Sequence, residues 1–281
     1  MPPGETLDLG WVVADAAGAE RYWRGAGVSP SPRAELPLGL ALALRGGPLP
    51  AVELAEDTVS VHAGHSITLH RPFLAGRYRV RTRIAEVFEK SGRSGRLSVI
   101  VRSAELCDAS AEAVVSIREQ QIARWRVARP VRPSAHEPVA SGGHGVAPLD
   151  DGLDIGATVA FERRCAPGAA LIRAYAGALG EPEPLFADRD FAHRIGFADV
   201  IVPGPIQSAL FERLLTESLP GWRLTQLSLS FRVSVIVDEP IALRAMVIEL
   251  APERDRLVAD LTLENSHGEV AAAGTATLNR G

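Results

Sequence analysis

Lysine is almost missing from this chain: Lys90 is the only one, and arginine carries nearly all of the positive charge. In a sequence rich in alanine and glycine this reads as the codon bias of a GC-rich bacterial genome, with no phosphate-binding role needed to explain it. Cysteine is as scarce. The two present, Cys107 and Cys165, lie far apart and match no CxxC or metal-ligand spacing, which excludes a disulfide framework and suits a reducing compartment. Apolar runs stay short of the about 18 residues that a membrane-crossing helix needs. The opening "MPPGETLDLGWVV" has no basic segment followed by an apolar core. A basic stripe is missing too: the net charge is -4 with the signs evenly mixed, so neither nucleic acid nor a membrane is an expected partner. The expectation is a soluble, cytoplasmic protein.

What is present is a repeated pattern. The 281 residues, 46% of them apolar, suffice for a substantial core. Residues 128–152, "ARPVRPSAHEPVASGGHGVAPLDDG", are dense in Pro, Gly and Ser and lack an apolar period, which marks a linker between a repeat over 1–127 and a repeat over 153–281. In the second repeat, Leu227, Leu229, Phe231, Val233 and Val235 alternate with polar residues, predicting a half-buried strand. "IALRAMVIEL", "RLVADLTLEN" and "EVAAAGTATLNR" predict three more, with "NSHG" as the last hairpin turn. Before them, "PIQSALFERLLTE" carries Ile206, Leu210 and Leu214 at helical spacing, and Gly204 followed by Pro205 makes a good helix start.

The first repeat follows the same order. "AERYWRGAG" is its short helix, "ELPLGLALAL" its weaker central helix, and "TVSVHAGHSITLHRPF", "GRYRVRTRIAEVFEK", "GRLSVIVRSAEL" and "AEAVVSIREQQIARW" its strands. Each copy is expected to be an antiparallel sheet wrapped around one apolar helix, an α+β arrangement.

The stretch "RAYAGALGEPEPLFADRDFAHRIGFADVIVPGPIQSAL" resembles the MaoC-like dehydratase and (R)-specific enoyl-CoA hydratase family, whose pattern reads roughly Y-A-x-x-S-G-D-x-N-P-[IL]-H-x-D. "VHAGHSITLHRPFLAG" and "VFEKSGRSGRL" look like the companion repeat of such proteins. The resemblance implies a double-hotdog fold and chemistry on an acyl thioester. It places Glu181 on the family's catalytic Asp, Phe186 on its catalytic His and Gly204 on the glycine whose N–H holds the thioester carbonyl. The departures strike the chemistry and spare the scaffold.

Adding water to an enoyl thioester needs a group that takes a proton from water, one that orients it, and a donor for the enolate oxygen. The resemblance leaves Glu181 as a single acid/base and the Gly204 N–H as the oxygen donor. Phe186 carries no proton and makes the pocket apolar, which favours the neutral form of a carboxyl and raises its pKa. Phe186, His65, Tyr175 and Pro203 are the expected substrate-binding residues. Regular strand alternation puts His65 on the face of Val61, Ile67 and Leu69, either as a core histidine or looking into a tunnel between the repeats, with His62 and His70 on the opposite face. Tyr175 shares a helical stripe with Ile172 and Leu179 and reads as core or as a hydroxyl donor. Asp188 reads as a helix N-cap, with an exposed His193 on the helix that follows. Lys90, Arg93 and Arg96 flank a hairpin turn and are candidates for the phosphates of CoA or a carrier protein.

The function expected is a hydratase- or dehydratase-type lyase acting on an acyl-CoA or an acyl-carrier-protein-bound substrate. The alternatives are a cyclase or isomerase of bacterial polyketide biosynthesis and a non-catalytic subunit of a heteromeric hydratase. No cofactor and no metal are expected, and the partner would be a second copy of the chain or another hotdog subunit.

Overall fold

In the computed structural model, which describes residues 4–27, 35–45, 58–92, 95–125, 153–179 and 184–281, two strands from opposite halves of the chain run side by side. β2 (Thr58–Leu69) and β7 (Trp222–Phe231) pair antiparallel from Gly64 opposite Ser230 to Thr68 opposite Gln226. Gly64 is required at this seam, since a Cβ there would fall 2.7 Å from the carbonyl oxygen of Leu229.

That pairing fuses two half-sheets into one. The first half contains β1 (Thr6–Ala14), β2, β3 (Gly76–Gly92), β4 (Gly95–Cys107) and β5 (Ala113–Trp125). The second contains β6 (Thr158–Cys165), β7, β8 (Pro240–Leu250), β9 (Arg256–Glu264) and β10 (Val270–Arg280). The order across the ten strands is β1-β3-β4-β5-β2-β7-β10-β9-β8-β6, so each half reads first, third, fourth, fifth, second from its outer edge to the seam. This is the double-hotdog α+β fold. The two expected sheets are continuous with each other, because strand-to-strand hydrogen bonds at the seam satisfy two edges that would otherwise be bare.

The central helix of the second half, α5 (Gly204–Ser218), is the hub of the core. Ile206, Leu210 and Leu215 are fully buried, and each such side chain contributes about 1.5–3 kcal/mol through removal from water. Its counterpart α2 (Leu40–Leu44) has only five residues, in keeping with the weaker apolar pattern there. Glu212 of α5 joins the two: its carboxylate accepts from the amides of Leu38 and Gly39 at the start of α2 and from the Tyr22 hydroxyl of α1 (Ala16–Gly25). Helix α1 starts before the expected stretch because Asp15 accepts from the Gly18 amide at 2.7 Å and so caps it.

Two further segments lead to α5. Helix α3 (Ala169–Leu179) packs on α1, and a short 3-10 turn (Pro184–Phe186) precedes α4 (Arg189–Arg194). The expected strand over 227–235 instead begins at Trp222 and ends at Phe231, where the amides of Arg232 and Val233 both turn to the carbonyl of Ala271. The expected linker over 128–152 lies outside the described residues.

Candidate active site

Helix α5 begins at Gly204 with Pro203 before it and Pro205 after it, so the first turn is set by fixed backbone angles and has no side-chain cap. Gln207 closes this turn by donating its side-chain amide to the carbonyl of Val202 at 3.2 Å. A cavity of about 250 Å³ opens at the helix start, and Phe186, Pro203, Gly204, Phe231 and His62 are among its walls. A side chain at 204 has no room: its Cβ would lie 2.5 Å from the Phe231 ring. Among the described residues the Gly204 amide makes no hydrogen bond. With the other first-turn amides it presents the partial positive end of a fifteen-residue helix.

Opposite stands a chain of polar groups from β2 and α5. His62 Nε2 lies 2.8 Å from His65 Nδ1, His65 Nε2 lies 2.7 Å from Ser208 Oγ, and Ser208 Oγ lies 3.3 Å from the Gly204 carbonyl oxygen. The Phe231 ring sits 5.5 Å from both imidazoles, tilted against each.

His62 corrects the alternation expected for β2. The β2–β5 register slips between His62, opposite Gln121, and Gly64, opposite Gln120, so Ala63 is an extra residue. A bulge reverses the alternation, and His62 and His65 thereby come to the same side of the sheet. The expectation that His62 shares a face with His70 fails for this reason; the His70 ring instead meets Ser116 Oγ at 2.8 Å.

The electrostatics hold both rings neutral. Burial, and secondarily the Arg45 guanidinium, lowers His62 to about 3. Burial, then His62, lowers His65 well below the ordinary value, with Glu119 acting in the opposite sense. Glu119 faces His65 across the β2–β5 ladder and Arg102 across the β4–β5 ladder. Its carboxylate accepts from Arg45 Nε, and Arg102 Nη1 lies 3.8 Å from it, so a buried charge cluster underlies the histidines.

The structure thus brings Phe186, Pro203, Gly204 and, through His62 and Ser208, His65 to one place. Glu181 lies outside the described residues, as does Arg93. Tyr175 does not line the cavity; it is buried between α1 and α3 with its ring 6.4 Å from that of Tyr22. Asp188 caps α4 by accepting from the Phe191 amide at 3.0 Å, and the exposed His193 meets the Ala198 carbonyl. Lys90 pairs with Leu97, a cavity-wall residue, in the β3–β4 ladder. Sequence reasoning missed His62, Ser208 and Phe231 as site residues. The signal for Ser208 was its place four residues after Gly204, one helical turn along the same face.

Among the described residues no group of three or more His, Cys, Asp or Glu side chains is placed to hold a metal ion. No helix among them is long and apolar enough to cross a membrane.

A ten-stranded double hotdog with a cavity at the start of its buried helix is the architecture of a known class of proteins. No family model matches the chain. Over 130 residues it is 32% identical to the (R)-specific enoyl-CoA hydratase of Aeromonas caviae, a match spanning 45% of this chain and 94% of that one. Over 82 residues it is 26% identical to a mitochondrial 3-hydroxyacyl-acyl-carrier-protein dehydratase of Solanum lycopersicum, covering 29% of this chain and 50% of the tomato protein. A solved MaoC-like dehydratase superimposes with a TM-score of 0.76 at 16% identity, over 99% of this chain and 98% of that structure. The chain belongs to the MaoC-like dehydratase and (R)-specific enoyl-CoA hydratase family.

Proposed function

We propose that this protein is a hydro-lyase that adds water to an enoyl thioester, or removes it from a 3-hydroxyacyl thioester, with Glu181 as the single acid/base. The observation that supports this reading most directly is Gly204, a helix-opening residue on the cavity wall whose amide has no hydrogen bond among the described residues and whose position tolerates no side chain. An N–H so placed stabilises the oxyanion that a thioester carbonyl becomes when its β-carbon is attacked.

In the hydration direction, the Glu181 carboxylate takes one proton from water as the water oxygen bonds to Cβ. The C=C electron pair moves to the thioester oxygen, which accepts from the Gly204 N–H. Collapse of this enolate draws the proton from Glu181 to Cα and restores the carbonyl. Atoms balance with one group acting twice, so the chemistry proceeds without a second proton carrier at Phe186. CoA or phosphopantetheine is the handle on the substrate, and the pairing of Lys90 with the wall residue Leu97 supports Lys90 as a cation for its phosphates. The cavity volume of about 250 Å³ lies below the usual range for small-molecule sites, about 300–1,000 Å³, and favours a short acyl segment.

The test is hydration of crotonyl-CoA and of longer enoyl-CoAs, followed by loss of the enoyl absorbance. Wild-type turnover that falls about 10²- to 10⁴-fold in Glu181→Gln supports the reading; turnover unchanged in that variant removes the carboxylate from the mechanism. The apolar walls, Leu185, Phe186 and Phe231, favour a second reading, a cyclase or isomerase that folds an acyl chain in the same cavity. Such an enzyme leaves every enoyl-CoA untouched.

A further inference from the structure

We propose that His62 is the residue that holds the reacting oxygen in the cavity, accepting a hydrogen from the water, or from the 3-hydroxyl of the hydrated substrate, through its Nδ1 atom. The inference rests on the hydro-lyase reading and adds to it a residue of the first repeat that lines the cavity.

The hydrogen-bond chain from Gly204 to His62 has a direction. A carbonyl oxygen only accepts, so Ser208 donates its hydroxyl hydrogen to Gly204 O. Ser208 Oγ then accepts from His65 Nε2, 2.7 Å away, which makes His65 Nδ1 a lone-pair acceptor. His62 Nε2, 2.8 Å from that lone pair, must carry the hydrogen between them. A neutral His62 with its one hydrogen on Nε2 has a bare lone pair on Nδ1. His62 is a wall of the cavity, and Nδ1 is the ring nitrogen that His65 leaves available to its contents. The Gly204 carbonyl therefore selects the tautomer of a ring three hydrogen bonds away, while the amide of the same residue serves the thioester oxygen.

Neutrality of the pair is supported by burial and by the nearby Arg45, which disfavour a proton on either ring. A neutral acceptor suits the task. Water in a hydratase site has two hydrogens: one leaves to Glu181, and the other needs an acceptor that orients the lone pair on oxygen toward Cβ. In the reverse direction the same acceptor keeps the hydroxyl hydrogen while Glu181 protonates the leaving oxygen. No proton is transferred to His62 in either direction.

The test uses His62→Gln, whose amide reaches the Nε2 position and keeps a donor for His65, and His62→Asn, whose amide reaches the Nδ1 position and keeps a polar group in the cavity. Wild type and both variants are compared for thermal midpoint and for enoyl-CoA hydration. The expected result is a loss in kcat of about 10²-fold for His62→Gln with KM changed by less than about threefold, the scale for a misplaced reacting group. A smaller kcat loss is expected for His62→Asn. Folded His62→Gln with wild-type kcat overturns the inference and leaves the hydro-lyase reading standing.

A second measurement needs no turnover. In ¹⁵N-histidine-labelled protein, the non-reacting amide analogue of 3-hydroxybutyryl-pantetheine should move the His62 Nδ1 resonance, and the butyryl analogue, which lacks the hydroxyl, should not. Equal effects of the two analogues, or none from either, overturn the inference. Should wild type hydrate no enoyl-CoA, the hydro-lyase reading falls, and the hydroxyl-dependent shift alone decides whether His62 holds the oxygen.

Discussion

His62 and His65 stand three residues apart on β2, yet their rings touch through a 2.8 Å Nε2···Nδ1 contact. On a regular strand they would point to opposite faces; the extra residue Ala63 turns them to the same one. The other ring nitrogen of His65, Nε2, ties this strand of the first repeat to Ser208 on the central helix of the second.

Acid should weaken the fold through these rings. The unfolded chain takes up a proton on each near pH 6.5, whereas native His62 does so only near 3 and native His65 well below its ordinary value. Stability is therefore complete above about pH 6.5 and falls as the pH drops toward the native values, by up to about 1.4 kcal/mol per pH unit for each ring. Thermal midpoints measured from pH 7 to pH 5 should fall steadily, and the double variant His62→Gln, His65→Gln should flatten that slope. An unchanged slope would assign the acid sensitivity to other groups.

Gly204→Ala should damage both stability and turnover. The new methyl would sit 2.5 Å from the Phe231 ring, which is backed by the two imidazoles at 5.5 Å and has little room to retreat. Overpacking of this kind costs about 1–3 kcal/mol, to be read from urea denaturation. Adding Phe231→Leu should recover much of that loss. Purely additive effects of the two substitutions would contradict the contact.

Glu212→Ala should separate folding from function. The change strands the Leu38 and Gly39 amides and the Tyr22 hydroxyl in a region where Glu212 is 4% exposed. Each group costs about 1–3 kcal/mol when buried without a partner, so a total of at least about 3 kcal/mol is expected. Activity per folded molecule should persist at low temperature, because Glu212 is not a wall of the cavity beside Gly204. A loss of kcat without a loss of stability would place Glu212 in the chemistry instead.

Much of the framework is legible in the sequence. Alternating apolar residues in β7 through β10 and the Gly-Pro start of α5 are local signals, and the structure follows them to within a few residues. Asp188 could be read as a cap because capping depends on neighbours three positions away. The end of β7 at Phe231 is not legible in the sequence, since the amides of Arg232 and Val233 are claimed by Ala271, a partner remote in sequence.

The sequence by itself determined the repeated order of helices and strands and the Gly-Pro start of α5, which are written in local periodicity and in neighbouring residues. Only the tertiary structure decided that β2 and β7 share one sheet, that Ala63 is bulged, and that His62, His65 and Ser208 form a chain ending at Gly204. Strand pairing and register depend on contacts between residues far apart in the chain, and a single inserted residue reverses every side chain beyond it. No local pattern carries that information.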